Sequence, residues 1–545
     1  MRTTPPRPAR RSLLALGLGA ALTAGALATA APAGAAPDPR DRAPLVVQTT
    51  EGAVEGTAPG DYRLFQGIPF AAPPVGDLRF RPPAPVQPWD DVLDATAPGS
   101  ACPQDPSATN PTASVDEDCL FLNVTTPAGL DTSRKNLPVM VWIHGGSWRT
   151  GSGDRYDASK LALEGDVVVV TINYRLGPLG FLAQEDLSRE NGDVASGSAG
   201  LLDQQAALRW VQRNIRAFGG NPGRVTIFGE SAGGSAVCAQ LTSPSARGLF
   251  ARAIAQSYSC TAPYDDLATA EAKGAAVADT VGCASAADVA ACLRETSVEE
   301  LLAAWPGGAF VVGGSALPVQ PAAAIAAGDH AKVPIMHGNL SDENTLFTPL
   351  NPAVAARAND ADGFTEADYA AVLGGVFGDD ADEVQARYPA GAYPSPLRAL
   401  ADVNSDAGSA LSTCEHVDAY ETLARPPVPA PVFAYQFRDE TADPLLDFPY
   451  PNYPEDAQHA AELPYLFPGL FGDGLTDEQE QLSTAMVRYW TNFAAHGNPN
   501  GRDVPTWIRY RAPKDVQGLD IASDGGIGPV DVAAEANCAF WSTLD

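Results

Sequence analysis

The sequence predicts an α/β fold in which helices flank a central, twisted and mostly parallel sheet. Buried-strand patterns such as "LPVMVWIHGG" and "DVVVVTINYRLG" alternate with helical patterns such as "LLDQQAALRWVQRNIRAFGG". A chain with this alternation places its strands side by side through right-handed crossovers, which makes them parallel. The chain shows no internal repeat and no long linker after its first residues. Its 545 residues could hold several domains, but one large α/β unit with insertions is equally allowed.

The elements follow one another in a readable order. The first third of the chain contains strand patterns in "APLVVQT", "YRLFQGIP" and "CLFLNVTTP", followed by the two buried strands. The long helical pattern ends at Gly219-Gly220, because glycine readily adopts the conformation that terminates a helix. "RVTIFGES" is the next strand, "SAGGSAVCAQLTS" is a helix, and "GLFARAIAQSYS" and "VPIMHGNLSDEN" contain two more strands. Segments from about 265 to 330 and from about 350 to 425 are predicted helical insertions, which we expect to wall a pocket.

Residues 1–36 have the pattern of a cleaved signal peptide, and residues 37–545 are predicted to form a single domain. A segment with four arginines precedes a weakly apolar stretch, and "AGA" at 33–35 offers a small-residue cleavage site. The weak hydrophobicity and the prolines that follow argue against a membrane anchor. The general secretory route and the twin-arginine route both stay open, the latter because of "ARRSLL". We therefore expect a secreted protein.

The net charge argues against several classes of partner. The chain has 66 acidic and 35 basic residues, which gives a formal charge of −31 at pH 7. Nucleic acids and anionic lipid surfaces attract basic patches, so neither partner is predicted. After the signal peptide, no segment has the roughly twenty uninterrupted apolar residues that span a bilayer. The acidic surface favours a soluble monomer.

The cysteine count predicts disulfides. Eight cysteines in an exported chain are an even number, but their connectivity cannot be deduced from spacing alone. None forms a C-x-x-C motif with a matching pair, so a zinc site is not predicted. The eight are Cys102, Cys119, Cys238, Cys260, Cys283, Cys292, Cys414 and Cys538.

The stretch "FGESAGGS" contains the candidate nucleophile. Its first serine, Ser231, lies at the centre of a G-x-S-x-G pentapeptide that occurs nowhere else in the chain. The pentapeptide stands where a strand turns into a helix, and such an elbow lifts the serine hydroxyl clear of the sheet. Gly229 and Gly233 fit because side chains there would collide as strand and helix close together. Ser235 lacks glycines at this spacing, so Ser231 is favoured.

Backbone N–H groups are needed to stabilise the oxyanion that forms when a serine attacks a carbonyl group. Ala232, at the predicted helix start, supplies one such group. Gly145 and Gly146 follow a strand in "WIHGGSW" and are predicted to supply the others, because glycine lets the backbone approach a substrate closely. A plain strand-ending turn is the alternative interpretation of this motif.

The general base is predicted to be a histidine, and there are six candidates: His144, His330, His337, His416, His459 and His496. In this type of fold the chain order is serine, then acid, then histidine, which removes the first of them. His416 and His496 have simple structural explanations on or at the end of helices. His459 lies in a loop before a short helix, from which it could reach Ser231, and it is favoured.

These motifs together resemble the type-B carboxylesterases, the cholinesterase-like branch of the α/β-hydrolase fold. The resemblance rests on "GIPFAAPPVGDLRFRPP", "EDCLFLNV", "HGGSW", "INYRLGPLGF", "WTNFAAHGNPN" and the long block from Gly200 to Gly234. It covers the chain from about residue 45 to the C-terminus. It implies a serine esterase of the secreted bacterial type, with helical insertions around the active site.

The resemblance also implies roles for further residues. The acid of the family lies in a G-x-x-x-x-E motif, which places it at Glu343, with the neighbouring Asp342 as its rival. The family supports His459 as the base and the oxyanion hole of Gly145, Gly146 and Ala232. Ser257 and Glu230 are expected to support this triad. No cofactor or metal is required, because serine and histidine supply nucleophile and base.

Disulfide pairs follow from the same resemblance. Cys102 with Cys119 and Cys283 with Cys292 match loops of the family, and Cys414 with Cys538 match a bridge that some members carry. Cys238 and Cys260 are left either as a fourth pair or as two buried thiols.

Three functional hypotheses remain. The favoured one is a carboxylesterase that hydrolyses small to medium neutral esters through an acyl-enzyme intermediate. The others are a lipase for long-chain acylglycerols and a non-catalytic cholinesterase-like binding module. A preference for choline esters is not expected despite Glu230, because "CPQDPSATNPTASVDEDC" lacks an aromatic ring to hold a quaternary ammonium group. Trp148 either walls the pocket or packs beneath the oxyanion turn.

Overall fold

The computed structural model describes residues 44–106, 111, 113–129, 136–425 and 430–544. The signal peptide predicted at residues 1–36 lies outside this range. The strands are β1 (Val46–Gln48), β2 (Ala53–Glu55), β3 (Tyr62–Pro69), β4 (Leu93–Asp94), β5 (Phe121–Pro127), β6 (Leu137–Ile143), β7 (Val168–Ile172), β8 (Gly220–Glu230), β9 (Arg252–Gln256), β10 (Asp265–Asp266), β11 (Val311–Val312), β12 (Ile335–Leu340), β13 (Val432–Phe437), β14 (Val516–Leu519) and β15 (Gly528–Val530).

Ten of these strands form one sheet, in the order β15-β14-β13-β12-β9-β8-β6-β7-β5-β3. The seven strands from β14 to β7 are mutually parallel, and the edge pairs β15–β14, β7–β5 and β5–β3 are antiparallel. Two small sheets accompany it in the described residues, β1-β2-β4 and β10-β11. The predicted mostly parallel sheet is confirmed.

Both faces of the sheet are covered, as continuous apolar strands require. Every residue of β6 and of β7 is buried. Successive side chains of a strand point to opposite faces, so Val139 and Val141 join one core cluster while Met140 and Trp142 join another. Strands that are apolar on both faces are typical of parallel sheets with helices on each side.

The helices are α1 (Ser159–Gly165), α2 (Gly177–Phe181), α3 (Glu185–Asn191), α4 (Ala199–Asn214), α5 (Ala232–Thr242), α6 (Leu267–Thr280), α7 (Val289–Glu295), α8 (Val298–Ala304), α9 (Pro321–Ala326), α10 (Asn344–Leu350), α11 (Pro352–Ala358), α12 (Glu366–Phe377), α13 (Ala381–Arg387), α14 (Pro396–Asp406), α15 (Thr413–Ala424), α16 (Asp477–His496), α17 (Val532–Glu535) and α18 (Cys538–Trp541). The predicted stop after α4 is confirmed: a 3-10 turn follows, and Gly219 adopts φ 96°. Both predicted insertions are mainly helical, the first containing α6 to α9 and the second α11 to α15.

Four disulfides stabilise the described part of the chain. They join Cys102 to Cys119, Cys238 to Cys260, Cys283 to Cys292 and Cys414 to Cys538. The pair that the sequence left open is therefore bonded, and it ties α5 to the segment after β9. Among the described residues, no helix combines the length and the apolar character needed to cross a bilayer.

Candidate active site

The carboxyl ends of four parallel strands, β6, β8, β12 and β13, converge on one site. Gly145 follows β6, Ser231 follows β8, Glu343 follows β12, and His459 lies in the long segment after β13. Ligands of open α/β sheets bind at this edge, because parallel strands present all their carboxyl ends there. Ser231 and His459 line the same cavity, together with Gly145. The topology thus brings together residues that lie far apart in sequence.

Ser231 occupies a sharp elbow between β8 and α5. Its backbone has φ 58° and ψ −122°, a strained combination for a residue with a side chain. The flanking glycines leave room for this turn, since a Cβ on Gly229 would lie 2.5 Å from the carbonyl oxygen of Ile143. A Cβ on Gly233 would overlap the same oxygen. The steric reason predicted for both glycines is confirmed.

His459 is held by Glu343. The imidazole Nδ1 lies 2.5 Å from Glu343 Oε2, and both side chains are buried. The other carboxylate oxygen of Glu343 accepts a hydrogen bond from the backbone N–H of Leu340 at 2.9 Å. In the neutral ring, Nδ1–H donates to this fixed carboxylate, which selects the tautomer whose Nε2 carries no proton. This is the arrangement that a histidine base requires.

Asp342, the rival acid, faces elsewhere. Its Oδ1 lies 2.5 Å from Nη2 of Arg398, which is only 7% exposed. Arg398 also pairs with Asp456, at 3.0 Å, and with Asp402. Asp456 precedes His459 by three residues, so the guanidinium group joins the segment of the acid to the segment of the histidine. Sequence reasoning did not identify Arg398, which offers no local motif.

A second carboxylate lies on the opposite side of the imidazole ring. Glu230 Oε1 is 3.0 Å from His459 Nε2, and no hydrogen bond joins the Ser231 hydroxyl to His459 in the described residues. Burial by itself disfavours the imidazolium, but the charges of Glu230 and Glu343 outweigh it and raise the pKa of His459 well above its ordinary value. Glu230, expected to support the triad, is thus in direct contact with the imidazole.

The oxyanion turn carries backbone donors that are free to bind a ligand. Within the described residues, no hydrogen bond is donated by the N–H groups of Gly145, Gly146 and Ala232. The N–H group of Ser147 also donates no hydrogen bond within the described residues. Ser147 lines the cavity, and its backbone has φ 55°. Sequence reasoning considered only the two glycines; the position of Ser147 directly after them was the available signal. Four candidate donors therefore lie close to Ser231.

Three further residues that the sequence singled out contact other parts of the protein. His144 is buried and its ring stacks on Tyr174, and burial lowers its pKa to about 4, as suits a structural residue. The Trp148 ring packs edge-on against two aromatic rings and does not line the main cavity, so the packing interpretation holds. The Ser257 hydroxyl makes no hydrogen bond within the described residues. Its N–H instead donates to the carbonyl of Gly338, at 2.7 Å.

The cavity above Ser231 has a volume of about 580 Å³. Its apolar wall comes from α10 and from the segment after β13, through Leu346, Phe347, Leu350, Leu445, Leu446, Leu463, Leu470 and Phe471. The two predicted helical insertions contribute little to its described lining: the first contributes no residue, and the second contributes only Leu350 at its start. Helices α12 and α14 instead line a separate, smaller cavity beside α10. The elements that shape the main cavity carry no distinctive composition in the sequence.

A model of the carboxylesterase family matches residues 43–541. The chain belongs to the carboxylesterase family. Its curated relatives include a para-nitrobenzyl esterase of Bacillus subtilis (strain 168), 39% identical over 85% of this chain and 92% of the relative. A cocaine esterase of Homo sapiens is 38% identical over 83% of this chain and 82% of the relative. The family and its relatives identify a carboxylic ester hydrolase.

Solved structures agree with this assignment. A PNB esterase structure matches this carboxylesterase with a TM-score of 0.74 and 34% identity, covering 92% of this chain and 99% of that one. A thermophilic PNB esterase matches with the same score and identity, over 90% of this chain. The α/β-hydrolase fold predicted from the motifs is therefore confirmed.

The carboxylesterase site contains a third buried carboxyl group that the sequence did not reveal. Glu462 follows His459 by three residues and accepts a hydrogen bond from Gln256 Nε2 at 3.0 Å. Burial, followed by the negative charges of Glu230 and Glu343, raises the pKa of Glu462 to about 8. Burial and the neighbouring carboxylates therefore favour the neutral form of this carboxyl group.

Replacing Glu230 with glutamine should shift the acidic limb of the kcat/KM profile of this carboxylesterase to lower pH. A histidine base is active only when neutral, and the Glu230 charge keeps His459 protonated to higher pH. Removing that charge lowers the pKa of His459, so the neutral form appears at lower pH. The measurement is kcat/KM against pH for a neutral ester. Glu164→Gln, on the exposed face of α1, is the matched control and should leave the profile unchanged. An unshifted or upward-shifted limb in Glu230→Gln would contradict the prediction.

Replacing Arg398 with methionine should lower the free energy of unfolding by about 3–5 kcal/mol. The substitution leaves the carboxylates of Asp342 and Asp456 partly buried and without their cation. Chemical denaturation measures the loss. Arg189→Met is the control, because Arg189 is 68% exposed and pairs only at the surface; its loss should be below about 1 kcal/mol. Equal losses in the two variants would show that the Arg398 cluster does not stabilise the fold.

Proposed function

We propose that the protein is a secreted serine carboxylesterase that hydrolyses small to medium neutral esters through an acyl-enzyme intermediate. The observation that carries the proposal is the buried contact of Glu343 with His459, because His459 lines the same cavity as Ser231. Residues 37–545 act as one catalytic domain in this proposal, and the monomer is the working unit.

The proposed reaction assigns one task to each group. The Ser231 hydroxyl attacks the ester carbonyl carbon, and its proton passes to His459 Nε2. Backbone N–H groups of Gly145, Gly146 and Ala232 bind the oxyanion, and the departing alcohol takes the proton from His459. Water then attacks the acyl-enzyme with the same assistance and releases the carboxylic acid. Glu343 holds the tautomer and stabilises the imidazolium throughout.

The cavity supports neutral substrates of limited size. Its volume of about 580 Å³ lies within the range of small-molecule pockets, and leucine and phenylalanine side chains form a large part of its wall. These side chains offer apolar surface to an acyl or alcohol group without a charge. Among the described lining residues, Glu230 is the one carboxylate, and it already faces His459, which leaves it poorly placed to bind a cationic substrate.

Export is supported by two features. The N-terminal pattern of residues 1–36 is that of a signal peptide, and four disulfides suit an oxidising compartment outside the cytoplasm.

The hypothesis of a non-catalytic binding module is not supported, because the chain belongs to a family of ester hydrolases and retains serine, histidine and acid.

Hydrolysis of p-nitrophenyl esters from acetate to palmitate tests the proposed function. We expect the highest kcat/KM for short or medium acyl chains, and rapid quenching followed by mass spectrometry should find the acyl group on Ser231. Acetylcholine and its neutral isostere 3,3-dimethylbutyl acetate have nearly the same shape and differ in charge, so the pair tests the preference for neutral esters. The neutral ester should be hydrolysed at least as fast. No turnover of any ester, or an acyl group on another residue, would overturn the proposal.

A further inference from the structure

A second cavity lies against α10, beside the main one. It has a volume of about 230 Å³. Leu346 and Leu350 line the main cavity and stand one helical turn apart, whereas Asn344 and Thr348 line the second cavity with the same spacing. Residues four apart lie on one face of a helix, so the two cavities flank two faces of α10. Phe347 lines both of them.

The second cavity is lined by both apolar and polar side chains. The apolar side chains that join Phe347 there are Val354, Val372, Leu373, Val376, Phe377 and Leu400. Three of its four polar residues are joined to one another by hydrogen bonds. Asn404 Nδ2 donates to Thr348 Oγ1 at 2.9 Å, and Asn344 Nδ2 donates to the carbonyl of Asn404 at 2.7 Å. The apolar side chains therefore remain available to contact a hydrocarbon chain.

The Phe347 ring stands at the boundary between the cavities and close to the chemistry. Its centroid lies 4.9 Å from that of the His459 ring, in an edge-on arrangement. The side chain is only half-buried, which is consistent with a ring that borders open space on two sides. A substrate chain that starts near Ser231 and grows towards α10 would meet this ring first.

We propose that the second cavity is a latent extension of the substrate pocket for the distal end of a long hydrocarbon chain, and that the Phe347 ring closes it. This inference rests on the proposed ester hydrolysis and adds to it the residue that limits chain length. In the wild type the chain must fit the main cavity alone. Removal of the ring joins the two cavities and admits chains that the wild type rejects.

The test compares Phe347→Ala with the wild type on two ester series. The p-nitrophenyl alkanoates from butyrate to palmitate vary the acyl chain, and alkyl acetates from butyl to hexadecyl vary the alcohol chain. In one series, Phe347→Ala should raise the ratio of kcat/KM for the twelve-carbon ester to that for the four-carbon ester by about tenfold or more. The series that responds identifies the chain that occupies the extension. Unchanged ratios in both series would overturn the proposal.

Two further measurements separate this proposal from a general loss of packing and from failure of the proposed function. The double variant Phe347→Ala with Val372→Trp refills the second cavity and should restore the wild-type ratio; an unrestored ratio would overturn the role of that cavity. A crystal structure of Phe347→Ala with dodecanoate should show the chain beyond position 347. A chain confined to the main cavity would overturn the proposal whatever the turnover, whereas failure of the wild type on short esters would overturn the proposed function alone.

Discussion

Replacing Ser231 with alanine should reduce kcat for ester hydrolysis by about 10⁵- to 10⁶-fold while the protein stays folded. Alanine keeps the Cβ and adds no atom, so the elbow between β8 and α5 retains its packing. The lost hydroxyl group is the nucleophile that forms the proposed acyl-enzyme. The remaining backbone donors can still polarise a carbonyl group, which explains why a small residual rate is expected.

Ser235 supplies the matched control for this variant. It lies in the same glycine-rich stretch, but it is fully buried on α5, and its hydroxyl is 2.9 Å from that of Tyr264. Ser235→Ala should keep near-normal kcat and lose about 1 kcal/mol of stability with that hydrogen bond. Steady-state kinetics and thermal unfolding measure the two effects. Substantial activity in Ser231→Ala would remove this serine from the mechanism.

Replacing Glu343 with glutamine should lower kcat by about 10³- to 10⁴-fold with a small change in KM. The amide cannot balance the charge of the imidazolium that forms when His459 takes a proton. It can also present an N–H group to Nδ1, which favours the tautomer whose Nε2 carries the proton. The substitution conserves shape, so circular dichroism and thermal unfolding should report a folded protein.

Asp342→Asn provides the neighbouring control. The Asp342 carboxylate pairs with Arg398 and does not face the imidazole. Its loss should therefore lower the free energy of unfolding, while kcat changes much less than in Glu343→Gln. The two isosteric substitutions therefore separate an electrostatic effect on His459 from an effect on packing. If Asp342→Asn lost more activity than Glu343→Gln, the assignment of the acid would have to be reversed.

Local signals in the sequence were sufficient for the elbow of Ser231. The strand, the flanking glycines and the small-residue helix lie within a few residues of one another, and each has a steric reason that local geometry imposes. The parallel sheet was equally predictable, because alternation of strand and helix patterns repeats along the chain. The turn with Gly145 and Gly146 follows β6, as the strand pattern predicts, and its role as an oxyanion hole stays a prediction.

Contacts between distant segments could not be predicted from pattern alone. His459 and Glu343 are 116 positions apart, and Arg398 reaches Asp342 across 56 positions. Which of two adjacent carboxylates faces the histidine depends on the direction in which each side chain leaves the end of β12. The individual residues that line the cavity could not be predicted for the same reason, since the lining depends on how whole segments pack over the sheet.

Local sequence patterns were sufficient to predict the α/β fold and the strand-to-helix elbow of the candidate nucleophile. Only the folded structure shows that Cys238 pairs with Cys260, that Glu230 contacts the imidazole and that Phe347 lines two cavities. The first group depends on backbone preferences and hydrophobic periodicity, which act over a few residues. The second depends on distances between elements, and those are set only when the sheet, the helices and the loops pack together.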